Sequence, residues 1–250
     1  KMKKDYKKKY KDSELIIHGI NPVSEALSSN KTTHIYISEN FSKNKRILEI
    51  INKAKKNNIH LDIIDNTLFK KKFGFNTGQT VVAQIHLNLN SDIEDIINFE
   101  SDKDSNLLII DKVQDPRNLG AIIRSAESAG FDGIIIANKN SAKINNTVAE
   151  ISSGAISHIP IIDNQNINQL IKKLKTYNYW IVGLDMDGDK EYKNYDFTGN
   201  VALVIGSEGS GISKLTKSLC DQIYKISMYG KTESLNVSVA AGIMMFEMKK

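Results

Sequence analysis

Apolar and polar positions along the chain fall into blocks of two kinds. Short runs of branched apolar residues between polar turns read as buried strands. Longer stretches with apolar positions three and four apart read as helices packed by one face. The first part of the chain gives strands at LIIHG (15–19), THIYIS (33–38), IHLDII (59–64) and QTVVAQI (79–85). Helices fall between them at NPVSEALSS (21–29), with Pro22 near its start, at KNKRILEIINKAKKNN (43–58), and near 66–72. In the second helix Ile47, Leu48, Ile50, Ile51 and Ala54 share a side. The alternation predicts a small α/β unit over 14–86 with a largely parallel sheet. Residues 87–105 change character, with six acidic residues against one lysine, and read as a linker.

A second α/β unit follows over 106–250. Its strands are expected at 106–111, 133–137, 158–162, 179–184, 201–205 and 223–227. Its helices are expected at 118–130, 145–155, 167–178, 213–222 and about 235–248. No internal repeat or heptad pattern interrupts this order.

Composition narrows the class. The chain has 250 residues, 40% apolar and 25% charged, enough to bury a core without staples. A single cysteine, Cys220, excludes an internal disulfide framework and a multi-cysteine zinc site. It falls in the amphipathic 213–222 helix and reads as a core residue rather than a nucleophile. His18, His34, His60, His86 and His158 show no metal-ligand spacing, so no metal is assigned. The longest apolar runs, VALVI (201–205) and GIIIA (133–137), fall far short of the ~20 residues of a membrane helix, so a soluble intracellular protein without membrane contact is expected.

The formal charge of +5 resides in residues 1–12, KMKKDYKKKYKD; the remainder is balanced. Such a tail (1–13) is either a solvated arm or an arm drawn to a phosphate backbone. The chain begins at Lys1, and residues 1–12, poor in arginine and serine, do not read as a transit peptide. The expected compartment is the cytoplasm of a bacterium, or a plastid or mitochondrion. Of the 34 basic residues only Arg46, Arg117 and Arg124 are arginine, and two of these lie within one short segment.

Three segments can carry chemistry. In DKVQDPRNLGAIIRSAESAG (111–130) a strand ends, a proline turn follows, and Asn118 can cap a helix or present its amide to a ligand. Arg124 lies nearly two turns further on. A capped helix with a surface arginine is the ordinary explanation; the scarcity of arginine favours a fork that grips phosphate or carboxylate. In VALVIGSEGSGIS (201–213) a glycine loop follows a buried strand and matches neither GxGxxG nor a Walker loop. Its Glu208 would repel phosphate and would suit a cationic ligand or pair with Arg124; taken alone, the loop is an ordinary tight turn. In ISMYGKTESLNVSVAAGIMMF (226–246), Ser234 and Asn236 precede a helix with a small-residue face, suited to burial, a subunit interface or a ligand.

Together DPRNLGAIIRSA (115–126), VIGSEGSGI (204–212) and SLNVSVAAGI (234–243) resemble, in order, the three signatures of SpoU-branch SPOUT RNA 2′-O-ribose methyltransferases. The resemblance covers roughly 106–248. The first unit resembles the ribosomal-protein-like substrate-binding domain of a subgroup acting on guanosine ribose in large-subunit rRNA, through IHGINPVSEAL (17–27) and GQTVVAQI (78–85). The resemblance implies a C-terminal α/β domain with a deep trefoil knot. It implies S-adenosylmethionine held at Gly206, Ile226 and Leu235, largely through backbone. It also implies a polar functional set of Asn118, Arg124, Glu208, Ser234 and Asn236, an RNA partner and a homodimer. In this picture Arg124 grips the adjacent phosphate and polarises the ribose hydroxyl, and Glu208 orients Arg124. The third signature usually opens Ile-Pro-Met; here it is Ile226-Ser227-Met228, which predicts a looser strand exit. Asn76-Thr77-Gly78 stands where the subgroup often has His-Gln-Gly. The rival expectations are the same chemistry on tRNA and a non-catalytic RNA-binding protein on this scaffold.

Overall fold

A computed structural model describes residues 12–41, 44–74, 79–89, 92–97, 103–194 and 196–250. The tail before Asp12 and the Asn76-Thr77-Gly78 turn lie outside the described residues. Four strands, β1 (Asp12–His18), β2 (Thr32–Ser38), β3 (His60–Ile64) and β4 (Val81–Asn88), form the first sheet in the order β1-β4-β2-β3. Helices α1 (Ile20–Ala26), α2 (Lys45–Lys56) and α3 (Asn66–Phe73) connect them. Asp65 caps α3 by accepting from the Thr67 and Leu68 N–H groups, at 2.8 and 3.1 Å.

The expected largely parallel sheet is corrected here. Only β2 and β3 pair in parallel, whereas β4 runs antiparallel between β1 and β2. Apolar runs carry no strand direction, and a last strand inserted between the first two reverses the pairing without altering its own pattern. β4 also extends to Asn88, opposite Asp12.

The second sheet has seven parallel strands in the order β7-β6-β5-β10-β8-β11-β9. They are β5 (Asn106–Ile110), β6 (Gly133–Ala137), β7 (Ile161–Gln165), β8 (Trp180–Leu184), β9 (Lys190–Glu191), β10 (Val201–Ile205) and β11 (Gln222–Lys225). The central strands β5, β6 and β10 are buried along their whole length, which is why they read as unbroken apolar runs. On one face lie α4 (Pro116–Ser128), α5 (Asn146–Ile151) and α8 (Val237–Glu247). On the other lie α6 (Ile167–Thr176) and the short α7 (Lys214–Lys217). Because every strand is parallel, all their C-terminal ends meet on one rim. β7 begins at Ile161 rather than His158. Pro160 has no N–H to give the ladder, and its carbonyl accepts from Ile134 at 2.9 Å.

The two units share one apolar cluster, with Leu15 and Ile17 of β1 and Val23 of α1 in the same core as Val148, Ala149 and Ile156. Polar contacts hold the seam. The Asn146 side chain accepts from the Ile16 N–H (3.0 Å), His18 meets Glu150 (3.2 Å) and His158 meets Glu25 (3.3 Å). The acidic connection between the units is docked as well. Ile93 and Ile97 bury against the α6 side of the sheet, and Asp163 donates its N–H to the Leu89 carbonyl at 2.9 Å.

Within that connection Glu94 accepts from Lys173 (2.5 Å) and Tyr177 (2.8 Å), and these donors hold its carboxyl down at about 2. A depressed folded pKa contributes stability above the unfolded value of 4.5 and loses it as pH falls toward 2. Both side chains are largely exposed, so the pair is worth only about 0.5 kcal/mol. Glu94→Gln is therefore expected to lower the melting temperature at pH 7 by ~1–2 °C. In thermal denaturation that difference should shrink between pH 4.5 and pH 2.

Candidate active site

Three connections meet on the rim above β8 and β10. The first is Asp185–Asp187, after β8; the second is Gly206–Ile212, after β10; the third is the long passage from β11 to α8. They enclose a cavity of about 270 Å³, bordered by Leu184, Ile205, Leu235, Val237 and Ala240 on its apolar side. An adjoining space of about 80 Å³ is reached past Leu184, Met186 and Ser234 and ends at Ile226 and Met228.

The glycines allow the middle connection to fold this tightly. A Cβ on Gly206 would lie 2.0 Å from the Gly211 carbonyl carbon, and Gly211 sits at φ +62. Ser207 and Gly211 exchange backbone hydrogen bonds of 3.0 and 3.1 Å. Asp185 fastens this loop to β8, accepting from the Ile212 N–H at 2.9 Å and pairing with Lys217 at 2.9 Å. Burial pushes the Asp185 carboxyl up. The Ile212 N–H, Lys217 and the Asp187 N–H outweigh that and hold it below its ordinary value.

A chain of side chains links the three sequence signatures. Asn236 caps α8, its Oδ1 accepting from the Ser238 N–H at 2.9 Å. Its Nδ2 donates to Asn118 Oδ1 at 3.1 Å, and Asn118 Nδ2 donates to Glu208 Oε1 at 2.8 Å. The cap fixes which end of Asn236 donates, and that in turn fixes Asn118, so the carboxamide orientations follow from the network. Asn118 does not cap α4. Asp115 takes that place, accepting from the Arg117 N–H at 2.8 Å, with Pro116 at the first helical position. The Asn118 side chain is thereby released toward the rim.

Of the residues expected from sequence, Gly206, Ser234 and Leu235 border the main cavity together with Glu208, and Ile226 borders its extension. Asn118 and Asn236 join Glu208 through the amide chain. Arg124 does not join them. Its Nη1 donates to Ser153 Oγ at 3.2 Å, so the expected pairing of Glu208 with Arg124 is absent. Six residues along a helix turn the side chain about 240° away from Asn118, toward α5, and Glu208 is already engaged. Arg117 is exposed in the first turn of α4, and Arg46 contacts the Asn21 carboxamide. At the exit of β11, where a looser path is expected from sequence, the Ser227 hydroxyl donates to Glu191.

Sequence reasoning missed Asp185 and Met186. The available signal was their place directly after the buried strand at 179–184, where ligands of parallel sheets bind. The cavity combines an apolar wall with the carboxylates of Asp185, Asp187 and Glu208. That chemistry fits an elongated ligand carrying an apolar ring and positive charge. Among the described residues no group of three or more His, Cys, Asp or Glu side chains is placed to hold a metal ion, and no helix is long and apolar enough to cross a membrane.

Comparison with known proteins matches residues 105–246 to the SpoU rRNA Methylase family. Residues 16–88 match the family described as RNA 2′-O ribose methyltransferase substrate binding. A protein of Staphylococcus haemolyticus, assigned to the TrmH family of tRNA/rRNA methyltransferases, is 37% identical over 240 residues, covering 94% of each chain. The SpoU methyltransferase AviRb of Streptomyces viridochromogenes, solved with AdoMet, superposes with a TM-score of 0.79 at 24% identity, over 94% of this chain and 89% of that one. An AdoMet-bound rRNA methyltransferase of Sinorhizobium meliloti superposes with a TM-score of 0.77 at 22% identity, over 94% and 86%.

Cys220 stands apart from the cavity. The expected 213–222 helix stops at Lys217, so Cys220 lies in the turn after α7, its thiol donating to the Thr216 carbonyl at 3.4 Å. Burial, then the neighbouring Asp221, push the thiol up to about 12. Alkylation by iodoacetamide at pH 8 is expected to run about 1,000-fold slower than for free cysteine, because the thiolate is scarce. Adding denaturant should restore the ordinary rate.

Proposed function

The chain belongs to the SpoU rRNA Methylase family, and from that premise we propose that it methylates the 2′-hydroxyl of a guanosine ribose in large-subunit rRNA. The observation that carries this reading is the convergence of Asn118, Glu208 and Asn236, one from each signature, beside a cavity bordered by Gly206 and Leu235. An RNA methyltransferase of this family draws its methyl group from S-adenosylmethionine. The apolar wall and clustered carboxylates suit that cofactor's ring and positive charge. Gly206, Ile226 and Leu235 hold it. When bound, it supplies a methyl group activated by a sulfonium. The match of the first unit to a ribose methyltransferase substrate-binding family supports an RNA held by both units.

The ribose hydroxyl is weakly acidic and needs positioning and help in losing its proton. Arg124 grips the adjacent phosphate and polarises the hydroxyl. The guanidinium stays protonated, so the proton leaves to a phosphate oxygen or water. To reach the phosphate, Arg124 exchanges one exposed hydrogen bond with Ser153, worth about 1 kcal/mol. Glu208 holds Asn118 instead of Arg124, and Asn118, Ser234 and Asn236 take the ribose or the cofactor's carboxylate. The deep trefoil knot belongs to the same reading. So does a homodimer, supported by α8, which buries Ala241, Met244 and Met245 yet leaves Val239 49% and Phe246 54% exposed.

Radiolabelled methyl transfer to fractionated RNAs, followed by mapping, is expected to place the label on a guanosine 2′-oxygen of large-subunit rRNA. A labelled tRNA would move the reading to tRNA ribose, and no transfer together with no heat on titration with S-adenosylmethionine would leave a non-catalytic RNA-binding protein. Arg124→Lys is expected to bind S-adenosylmethionine normally in calorimetry and to lose about 100-fold or more in turnover, the scale of a lost transition-state contact. A wild-type rate for that variant would remove Arg124 from the chemistry. Gly206→Ala places a methyl group among the Gly211 and Ile212 backbone atoms. It is expected to retain its far-ultraviolet circular dichroism while losing cofactor heat in calorimetry.

A further inference from the structure

A second cavity opens on the same rim, over the ends of β5, β6 and β7, on the α6 side of the sheet. It has a volume of about 330 Å³ and a polar wall that includes Lys112, Asn138, Lys139, Gln165 and Asn168. Nothing in the reading above uses it.

Lys112 is the unusual member. It sits at φ +68, a left-handed conformation that glycine or asparagine adopts at lower cost. The strain is held in place on both sides. The Lys112 N–H donates to Ser141 Oγ at 3.2 Å, and the carbonyl of the fully buried Val113 accepts from Ala142 at 2.7 Å. The Lys112 side chain is half-buried at the cavity, and among the described residues neither its ammonium nor that of Lys139 makes an ion pair. Among the described residues the only carboxylate in the wall is Asp111, 3% exposed and already accepting from the Ser213 N–H at 3.3 Å. A strained, half-buried cation with no counter-charge among the described residues is a feature that an anionic ligand would account for.

The location selects the anion. Lys112 precedes Asn118 by six residues on the connection from β5 to α4, and Ser213 follows Glu208 by five. The end of β6 lies two strand spacings from the end of β10, on the order of 10 Å along the rim. At ~3.4 Å rise per nucleotide, a strand seated at the Asn118–Glu208 site reaches this cavity within about three nucleotides. The carboxamides of Asn138, Gln165 and Asn168 both donate and accept, which suits ribose hydroxyls and base edges beside a phosphate.

We propose that this cavity is a subsite for the RNA strand flanking the methylated nucleotide, with Lys112 and Lys139 taking its phosphodiester groups. The proposal rests on the RNA-methyltransferase reading and deepens it. The test is fluorescence-anisotropy binding of in vitro transcripts of large-subunit rRNA and tRNA to the full chain, titrated with salt, for wild type, Lys112→Asn and Lys139→Gln. Asparagine tolerates the backbone at 112, and Lys139 lies on an exposed loop, so the second variant stands even if the first misfolds. Each variant is expected to weaken RNA binding about 3- to 10-fold and to lower the log–log salt slope by about 0.7, one phosphate contact. Affinity for S-adenosylmethionine should stay unchanged in calorimetry. If wild type binds RNA and both variants bind equally well with the same slope, the subsite is wrong and the catalytic reading stands. If wild type binds neither RNA, both fall.

Discussion

The geometry of the rim depends on one carboxamide. Asn118 accepts from Asn236 and donates to Glu208, so it ties the start of α4 to the glycine loop and to the cap of α8. Those segments are separated by 90 and 118 residues in sequence. Each of these two bonds, like the Ser238 N–H bond to Asn236 at the α8 cap, is modest alone, roughly 1 kcal/mol in a half-exposed setting. Their order matters more than their sum. The α8 cap decides which end of Asn236 donates, and that choice propagates through Asn118 to Glu208. A carboxylate or aliphatic residue at 118 could not both accept and donate, and the loops would lose their common register.

That position exists because Asp115 and Pro116 start α4 two residues earlier than a helix beginning at Asn118 would. The strong parts of the sequence pattern were those governed by burial. The apolar runs at 133–137 and 201–205 appear as β6 and β10 with the same ends, because a strand covered on both faces admits no polar residue along its length. Gly206 and Leu235 reach the main cavity and Ile226 its extension because they follow β10 and β11, parallel strands flanking β8, or the last crossover back to the rim. The pattern was weak wherever a partner outside the local window decided the outcome. The run at 213–222 has helical spacing, yet it turns after Lys217, where Asp221 is drawn to the Ile181 N–H at 2.8 Å and to Lys175 at 2.6 Å. The acidic stretch at 87–105 looked like a free linker because its two docking residues, Ile93 and Ile97, are few among charges. Glu94 on Lys173 and Tyr177, a contact across about eighty residues, adds a small polar contribution.

The pairing of Glu208 with Arg124 failed for a related reason. Opposite charges on two signatures invite pairing on paper, but a helix fixes azimuth as well as distance. Arg124 belongs to the side of α4 that faces α5, whereas Asn118 faces the rim. The carboxylate therefore takes the nearer carboxamide, and the guanidinium takes a hydroxyl.

That hydroxyl connects the site to the first unit. Ser153 holds φ +51, and its neighbour Gly154, at φ +92, sits where a Cβ would come within 2.9 Å of the Pro22 carbonyl and the Glu25 side chain. Glu25 in turn meets His158 beyond the same turn. The sequence from Arg124 to Ser153, Gly154 and then α1 is thus one continuous contact path across the seam between the units. A bulkier residue at 154 would push α1 away, and a shift of α1 would move the backbone that aims the Ser153 hydroxyl. The contact that orients the arginine and the contact that seats the first unit therefore share a single strained turn.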